Sequence, residues 1–263
     1  MINSTFDVLP LWGTFALSLA IFFAATEIGF RIGLRRREHA DFVESGSTGI
    51  VTGSILGLVS FLLAFTFGIA ATNYSERRGV VLDEANSIGT AFLRADLLEA
   101  EDRSKLRELL AEYTRIRVEI IQPETKVAEY FSVIRASERL HSDMWQTVVA
   151  AARANPTPTH AVAVTAINDV IDIHTTRVAV GVRYAIPPSI WLALYVVSAI
   201  GLATTSYRFG VSFGRRSELL PGMVFAFASV ITLITDLDNP RHGFLLSDQT
   251  PMQELLTSMS KEN

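Results

Sequence analysis

Four long apolar runs constrain this chain more than any other feature. A backbone crossing about 30 Å of hydrocarbon must satisfy its own hydrogen bonds, and a helix of roughly 20 apolar residues does so. The first run extends from about Leu9 to Leu34, with Glu27 and Arg31 its only ionisable residues, both toward its end. The second, Gly49 to Thr72, carries no charge. The third begins after Pro187-Pro188 and reaches Ser206, and the fourth spans Leu219 to Leu237 with Asp236 near its end. Composition agrees: 19% of the 263 residues are charged, against about 25% in soluble domains. Asp7 without Lys or Arg before the first run makes it a span rather than a cleaved leader.

The section between spans two and three, residues 73–184, has helical periodicity. Leu106, Leu109, Leu110, Tyr113, Ile116 and Ile120 form one stripe, and Val127, Tyr130, Phe131, Ile134, Leu140, Trp145 and Val148 a second. A third runs through Ala163, Ile167, Val170, Ile171, His174 and Val178. Spacings of three and four place each set on one helix face. Pro123 and Asn155-Pro156-Thr157-Pro158 break the stripes. The expectation is an all-α membrane protein of four transmembrane helices plus an extramembrane helical bundle, continuous with the membrane helices at both ends. Its divisions fall at 1–48 (first span and basic loop), 49–72 (second span), 73–184 (bundle), 185–237 (third and fourth spans) and 238–263 (tail).

Several function classes fall away. Cysteine is absent, which excludes disulfides, thiolate metal sites and cysteine nucleophiles. A net charge of −4 gives no basic footprint for nucleic acid. No phosphate loop, dinucleotide fingerprint, zinc-protease or hydrolase motif occurs, so neither an enzyme nor a cofactor is expected. Asp169, Asp172 and His174 invite a metal reading, but aspartates three apart read as a solvated helix face without a second histidine at ligand spacing. Arg35, Arg36 and Arg37 follow span one, and Arg208, Arg215 and Arg216 follow span three. Charge bias in short loops places those loops in the cytoplasm and the bundle outside.

The second span carries the most informative side chains. Phe61 and Phe65 lie about 40° apart around a helix, and Gly49, Gly53 and Gly57 continue the same side. Such a face can be a pore neck, with the positive ring edges toward anions and glycines where neighbouring helices approach. It can equally be lipid-facing phenylalanine with glycines packed inside one subunit. Glu27 and Arg31 are spaced to pair as i,i+4 neighbours. Glu84, Asn86, Thr90 and Arg94 form a polar stripe beyond the span, lining a vestibule or satisfying one another within the bundle.

The string Ser60-Phe61-Leu62-Leu63-Ala64-Phe65, continuing to Thr72-Asn73-Tyr74, resembles the pore-lining helix of bestrophin anion channels. Asp238-Asn239-Pro240 with Gly243 resembles the segment after the last bestrophin span. More closely, the chain is similar to the bacterial bestrophin-like family through Glu84-Ala85-Asn86, Ile88-Gly89-Thr90, Arg94, Tyr113, Arg117, Asp172, Arg177 and Pro187-Pro188. Departures are Asn73 for arginine, Tyr74 for tryptophan, Arg241 for phenylalanine, and an acidic string reduced to Asp236 and Asp238. Gly57 stands where a third bulky neck residue is expected. The resemblance implies an oligomeric, chloride-type anion channel, five subunits in a closed ring, in the bacterial inner membrane. Its pore neck is Phe61, Phe65 and Gly57, and Arg35, Arg36 and Arg37 form an anion-attracting mouth. Its partners are the bilayer, other copies of itself and small anions. Bestrophins keep the bundle and termini in the cytoplasm, opposite to the arginine bias. The alternative is a membrane sensor or scaffold whose bundle binds a ligand or partner protein.

Overall fold

A computed structural model of the chain describes residues 10–38, 47–119, 127–182, 185–239, 243–245 and 248–262. Among them are eight α-helices, a short 3-10 turn and no strand. The helices are α1 (Leu11–Arg37), α2 (Ser47–Arg94), α3 (Ala100–Glu119), α4 (Val127–Ala154), α5 (Pro158–Val182), α6 (Pro188–Phe213), α7 (Leu220–Asp238) and α8 (Thr250–Glu262). Four of them, α1, α2, α6 and α7, are long and apolar enough to cross a membrane. α2 has 48 residues, about 72 Å at 1.5 Å per residue, more than twice a hydrocarbon core. Its apolar half is the expected second span, and the helix continues unbroken past it.

The chain divides into two compact units, Met1–Tyr74 with Ala185–Leu245, and Ser75–Tyr184 with Leu246–Asn263. In the first, α1 and α6 run side by side in the same direction, closely enough that side chains are excluded. A Cβ on Gly29 would strike the carbonyl of Ala203, and one on Gly33 that of Tyr207. One on Gly210 would lie 2.6 Å from the Phe30 carbonyl oxygen. Lipid supplies no hydrophobic drive between helices, so contact of backbones through small residues holds the pair. Ser18 Oγ lies 2.8 Å from Tyr195 OH across the same contact. Val59, Leu63 and Ala70 of α2 join Phe22, Leu202, Val224, Ala228 and Ile231 in this unit's core.

Proline and glycine set the ends of the spans. Pro188 at the first turn of α6 gives up no helical hydrogen bond, and Gly214 stops the helix in the left-handed region (φ +65°) with its N–H on the Phe209 carbonyl. The bundle is therefore continuous with the membrane helix through α2, but not at its other end. Ala185, Ile186 and Pro187 are non-helical, because Pro187 disfavours a helical residue before it. There the Ile186 N–H donates to both carboxylate oxygens of Asp238, each at 3.1 Å.

The second unit packs α3, α4 and α5 with the end of α2 and with α8. Leu106, Leu110, Tyr113, Val148, Ala163, Ile167 and Val170 share its core, as the stripes required, together with Met144. Trp145 is a correction: it is exposed, and Met144 holds the buried position. Residue 144 is one helical turn from Leu140, whereas 145 is rotated about 100° further. Segment 238–263, read as a tail, contains α8, whose Met252 and Met259 are buried in the same core. Ile120, Pro123, Pro240 and Arg241, and the side chains of Val127, Tyr130 and Phe131, lie outside the described residues.

Candidate functional site

Within α2 the buried positions Thr52, Val59, Leu63, Thr66 and Ala70 recur at seven-, four- and three-residue steps, so one face packs into its unit. Phe61 and Phe65 lie on another face, 65% and 59% exposed. Their rings stack near-parallel, with centroids 6.2 Å apart. A Cβ added to Gly53 or Gly57 would meet nothing within 4 Å, and one on Gly49 would meet the Arg208 guanidinium at 3.2 Å. Gly53 and Gly57 therefore pack nothing inside their own unit. The glycines used for close approach within the chain are Gly29, Gly33 and Gly210, which the sequence reading passed over.

Arg35, Arg36 and Arg37 are exposed at the end of α1. Because α1 and α6 are parallel, Arg37 reaches Gly214 at the end of α6. The two arginine-bearing loops thus share one end of this unit. Glu27 pairs with Arg31 as its spacing required, with Oε1 2.6 Å from Nε. It also accepts from Arg216 at 2.8 Å, a partner 189 residues away that no local spacing could name.

The polar residues of the second unit gather around Glu84, which is fully buried. Tyr113 OH donates to Glu84 Oε1 at 2.6 Å, and Arg117 Nε donates to the same oxygen at 3.0 Å. Arg177 donates to Oε2 and, through its other terminal nitrogen, to Gln249 at 2.9 Å. Tyr113 has one proton and gives it to Glu84, so its 3.1 Å contact with His174 Nδ1 makes that nitrogen the donor. His141 stands edge-on to His174, ring centroids 4.6 Å apart, and 4.9 Å from the Tyr113 ring. Its Nε2 is buried with no hydrogen-bond partner among the described residues.

Burial and neighbouring charge together set the protonation states here. Burial alone would raise the Glu84 carboxyl, but Arg117 and Arg177, with the bonds from Tyr113 and Arg177, bring it down to about 2. Burial and then the adjacent Arg117 lower His141 to about 4. Burial, Arg117 and His141 lower His174 to about 3. Burial and the Glu84 charge raise the Tyr113 phenol well above its usual range. The cluster is one carboxylate, two guanidiniums, one protonated phenol and two neutral imidazoles.

The structure separates the expected polar stripe. Glu84 is buried, Asn86 and Thr90 are exposed, and Arg94 is half-buried at the helix end. Residue 86 is about 200° around the helix from 84, so the two cannot share a face. Glu84 is satisfied by α3 and α5, not by its own helix. Gly89 faces α8, where an added Cβ would lie 3.3 Å from the Leu255 side chain. Asp172 is exposed and accepts from Asn168 at 2.9 Å. Asp169, Asp172 and His174 form no metal-binding group, nor does any other set among the described residues. His141 was missed, although it sits with Ser137, Met144 and Val148 on the buried stripe of α4.

A family model described as the bestrophin-like domain matches residues 14–246. The chain belongs to the bestrophin-like family. That match takes in residues 75–184 of the second unit, so Glu84, Tyr113, Arg117 and Arg177 meet within a bestrophin-like domain. Solved structures agree on the fold. A mutant of a bacterial bestrophin homologue from Klebsiella pneumoniae superposes with a TM-score of 0.68 at 12% identity, covering 95% of this chain and 98% of that one. A second mutant of the Klebsiella pneumoniae homologue gives 0.66 at 10% identity, covering 91% and 99%. A crystal structure described as a membrane protein gives 0.67 at 10% identity, covering 95% and 96%. No curated protein matches the sequence.

Proposed function

We propose that this bestrophin-like membrane protein assembles into a closed homo-oligomer, five copies in the bestrophin manner, and conducts small anions of the chloride type along its axis. The observation that carries the reading is the uncovered face of α2, where Phe61 and Phe65 stack outward beside two glycines with open space before them. Around an axis, Phe61 and Phe65 from each copy make apolar collars above the small wall at Gly57. A collar too narrow to stay wet blocks ions, and once wet its ring edges favour anions. No charged residue lies between Gly49 and Thr72. Arg35, Arg36 and Arg37 enrich anions at one mouth.

Removing a collar should raise flux without undoing assembly. Chloride efflux from liposomes is expected to be several-fold faster for Phe61→Ala or Phe65→Ala than for the parent, at unchanged oligomer mass. Background flux from all three, with intact oligomers, contradicts the channel and favours the sensor or scaffold.

A further inference from the structure

At the arginine end of the first unit, Phe209, Phe213, Arg215, Arg216, Ser217 and Glu218 line an open cavity of about 380 Å³. Its walls divide by chemistry. Phe209 and Phe213 close the last turn of a membrane-crossing helix, rings 5.8 Å apart, with Phe213 61% exposed. Just past that helix stand two arginines and a hydroxyl. An apolar wall on the last turn of a membrane-crossing helix, followed by guanidiniums just past it, has the order of a bilayer interface, acyl chains then headgroups.

The two arginines are held differently. Arg216 is fixed: two hydrogen bonds of 2.8 and 3.0 Å join it to Glu27, and its guanidinium lies 5.2 Å over the Phe30 ring. Glu27 is shared with Arg31, so Arg216 is only partly neutralised. Arg215 is exposed and makes no ion pair among the described residues. Ser217 Oγ accepts the Leu219 N–H at 3.2 Å, which leaves its own proton to donate. Arg31, Arg37, Arg215 and Arg216 stand against Glu27 and Glu218, so positive charge is in excess at this end. Excess positive charge beside an apolar wall suits a phosphodiester that carries acyl chains; a free phosphate has no use for the wall.

We propose that this cavity binds the phosphodiester headgroup of an anionic phospholipid. Arg215 and the Ser217 hydroxyl contact the phosphate oxygens, Arg216 supplies fixed positive charge, and the Phe209–Phe213 pair packs on the first methylenes of an acyl chain. The site is independent of conduction: it needs neither the α2 face nor an oligomer.

The test is a titration of the detergent-solubilised full chain, followed by native mass measurement, with three probes: dioleoylphosphatidylglycerol, dioleoylglycerol and inorganic phosphate. One phosphatidylglycerol per subunit is expected to be retained. Arg215→Gln should weaken its binding about five-fold, the effect of one basic residue at a lipid surface. Arg215→Lys should weaken it less, and Lys261→Gln, distant in sequence and exposed, not at all. Equal retention by Arg215→Gln and parent overturns the proposal. So does equal binding of dioleoylglycerol, which would make the cavity a plain apolar groove. Displacement of the lipid by millimolar inorganic phosphate would assign the arginines to a free anion and overturn it as well.

Discussion

Glu84 is the residue on which the second unit's polar interior turns. Its two oxygens accept from three side chains on two other helices, and its carboxylate pairs with the buried guanidiniums of both Arg117 and Arg177. Breaking a buried ion pair from one side costs about 3–5 kcal/mol, because the remaining charge is left without compensation. Glu84→Gln is therefore expected to lower the thermal unfolding midpoint sharply; a change of a degree or two would contradict the assignment. The histidines predict an acid sensitivity with a definite sign. An unfolded histidine titrates near 6.5, whereas His141 and His174 are held at about 4 and about 3. Below 6.5 the unfolded chain binds protons that the folded one refuses. Stability is full above 6.5 and falls as pH drops toward 3, by at most about 1.4 kcal/mol per pH unit for each histidine. Glu84 adds its own loss only below about 4.5, where the unfolded carboxylate begins to protonate ahead of it. Denaturant titrations at pH 7.5 and 5.0 read this directly, and His141→Phe should reduce the slope by about half. Equal stability at the two pH values would contradict it.

At the scale of the element, what the sequence made legible followed from local periodicity. Runs long enough to cross a bilayer became α1, the first half of α2, α6 and α7, and the stripe at Leu106, Leu110 and Tyr113 became the inner face of α3. Partners distant in sequence were not legible. Nothing local tells Glu27 to accept Arg216, or His141 to meet His174, or Gly33 to lie against Tyr207. The polar stripe failed because residues 84 and 86 were assigned one face although two residues is more than half a turn. α8 escaped notice because its two buried methionines are seven residues apart in a short polar segment. The glycines of α2 make the sharpest element-scale prediction. Since a Cβ on Gly53 meets nothing within 4 Å among the described residues, Gly53→Leu should leave the fold and helix content intact while scattering the proposed oligomer into smaller species on native mass measurement. An unchanged oligomer would mean that this face packs against no other copy.

For the whole molecule, the four spans form one unit with its arginine loops gathered at one end, and a second unit stands on its own core and its own buried charge cluster. The predictions can be tested apart: Glu84→Gln reads stability, Arg215→Gln the proposed lipid retention and Phe61→Ala the proposed conduction. The central claim is that Phe61 lines an ion path, and the absence of cysteine makes it open to a direct measurement. Phe61→Cys is the only reactive thiol in its variant, and Ile28→Cys places one at a position of similar exposure on α1. Chloride efflux from liposomes is recorded before and after a negatively charged methanethiosulfonate reagent. The account predicts that the reagent suppresses efflux through Phe61→Cys and leaves the parent and Ile28→Cys unchanged. Efflux through Phe61→Cys that is indifferent to the reagent, or no greater than that of empty liposomes, would contradict it.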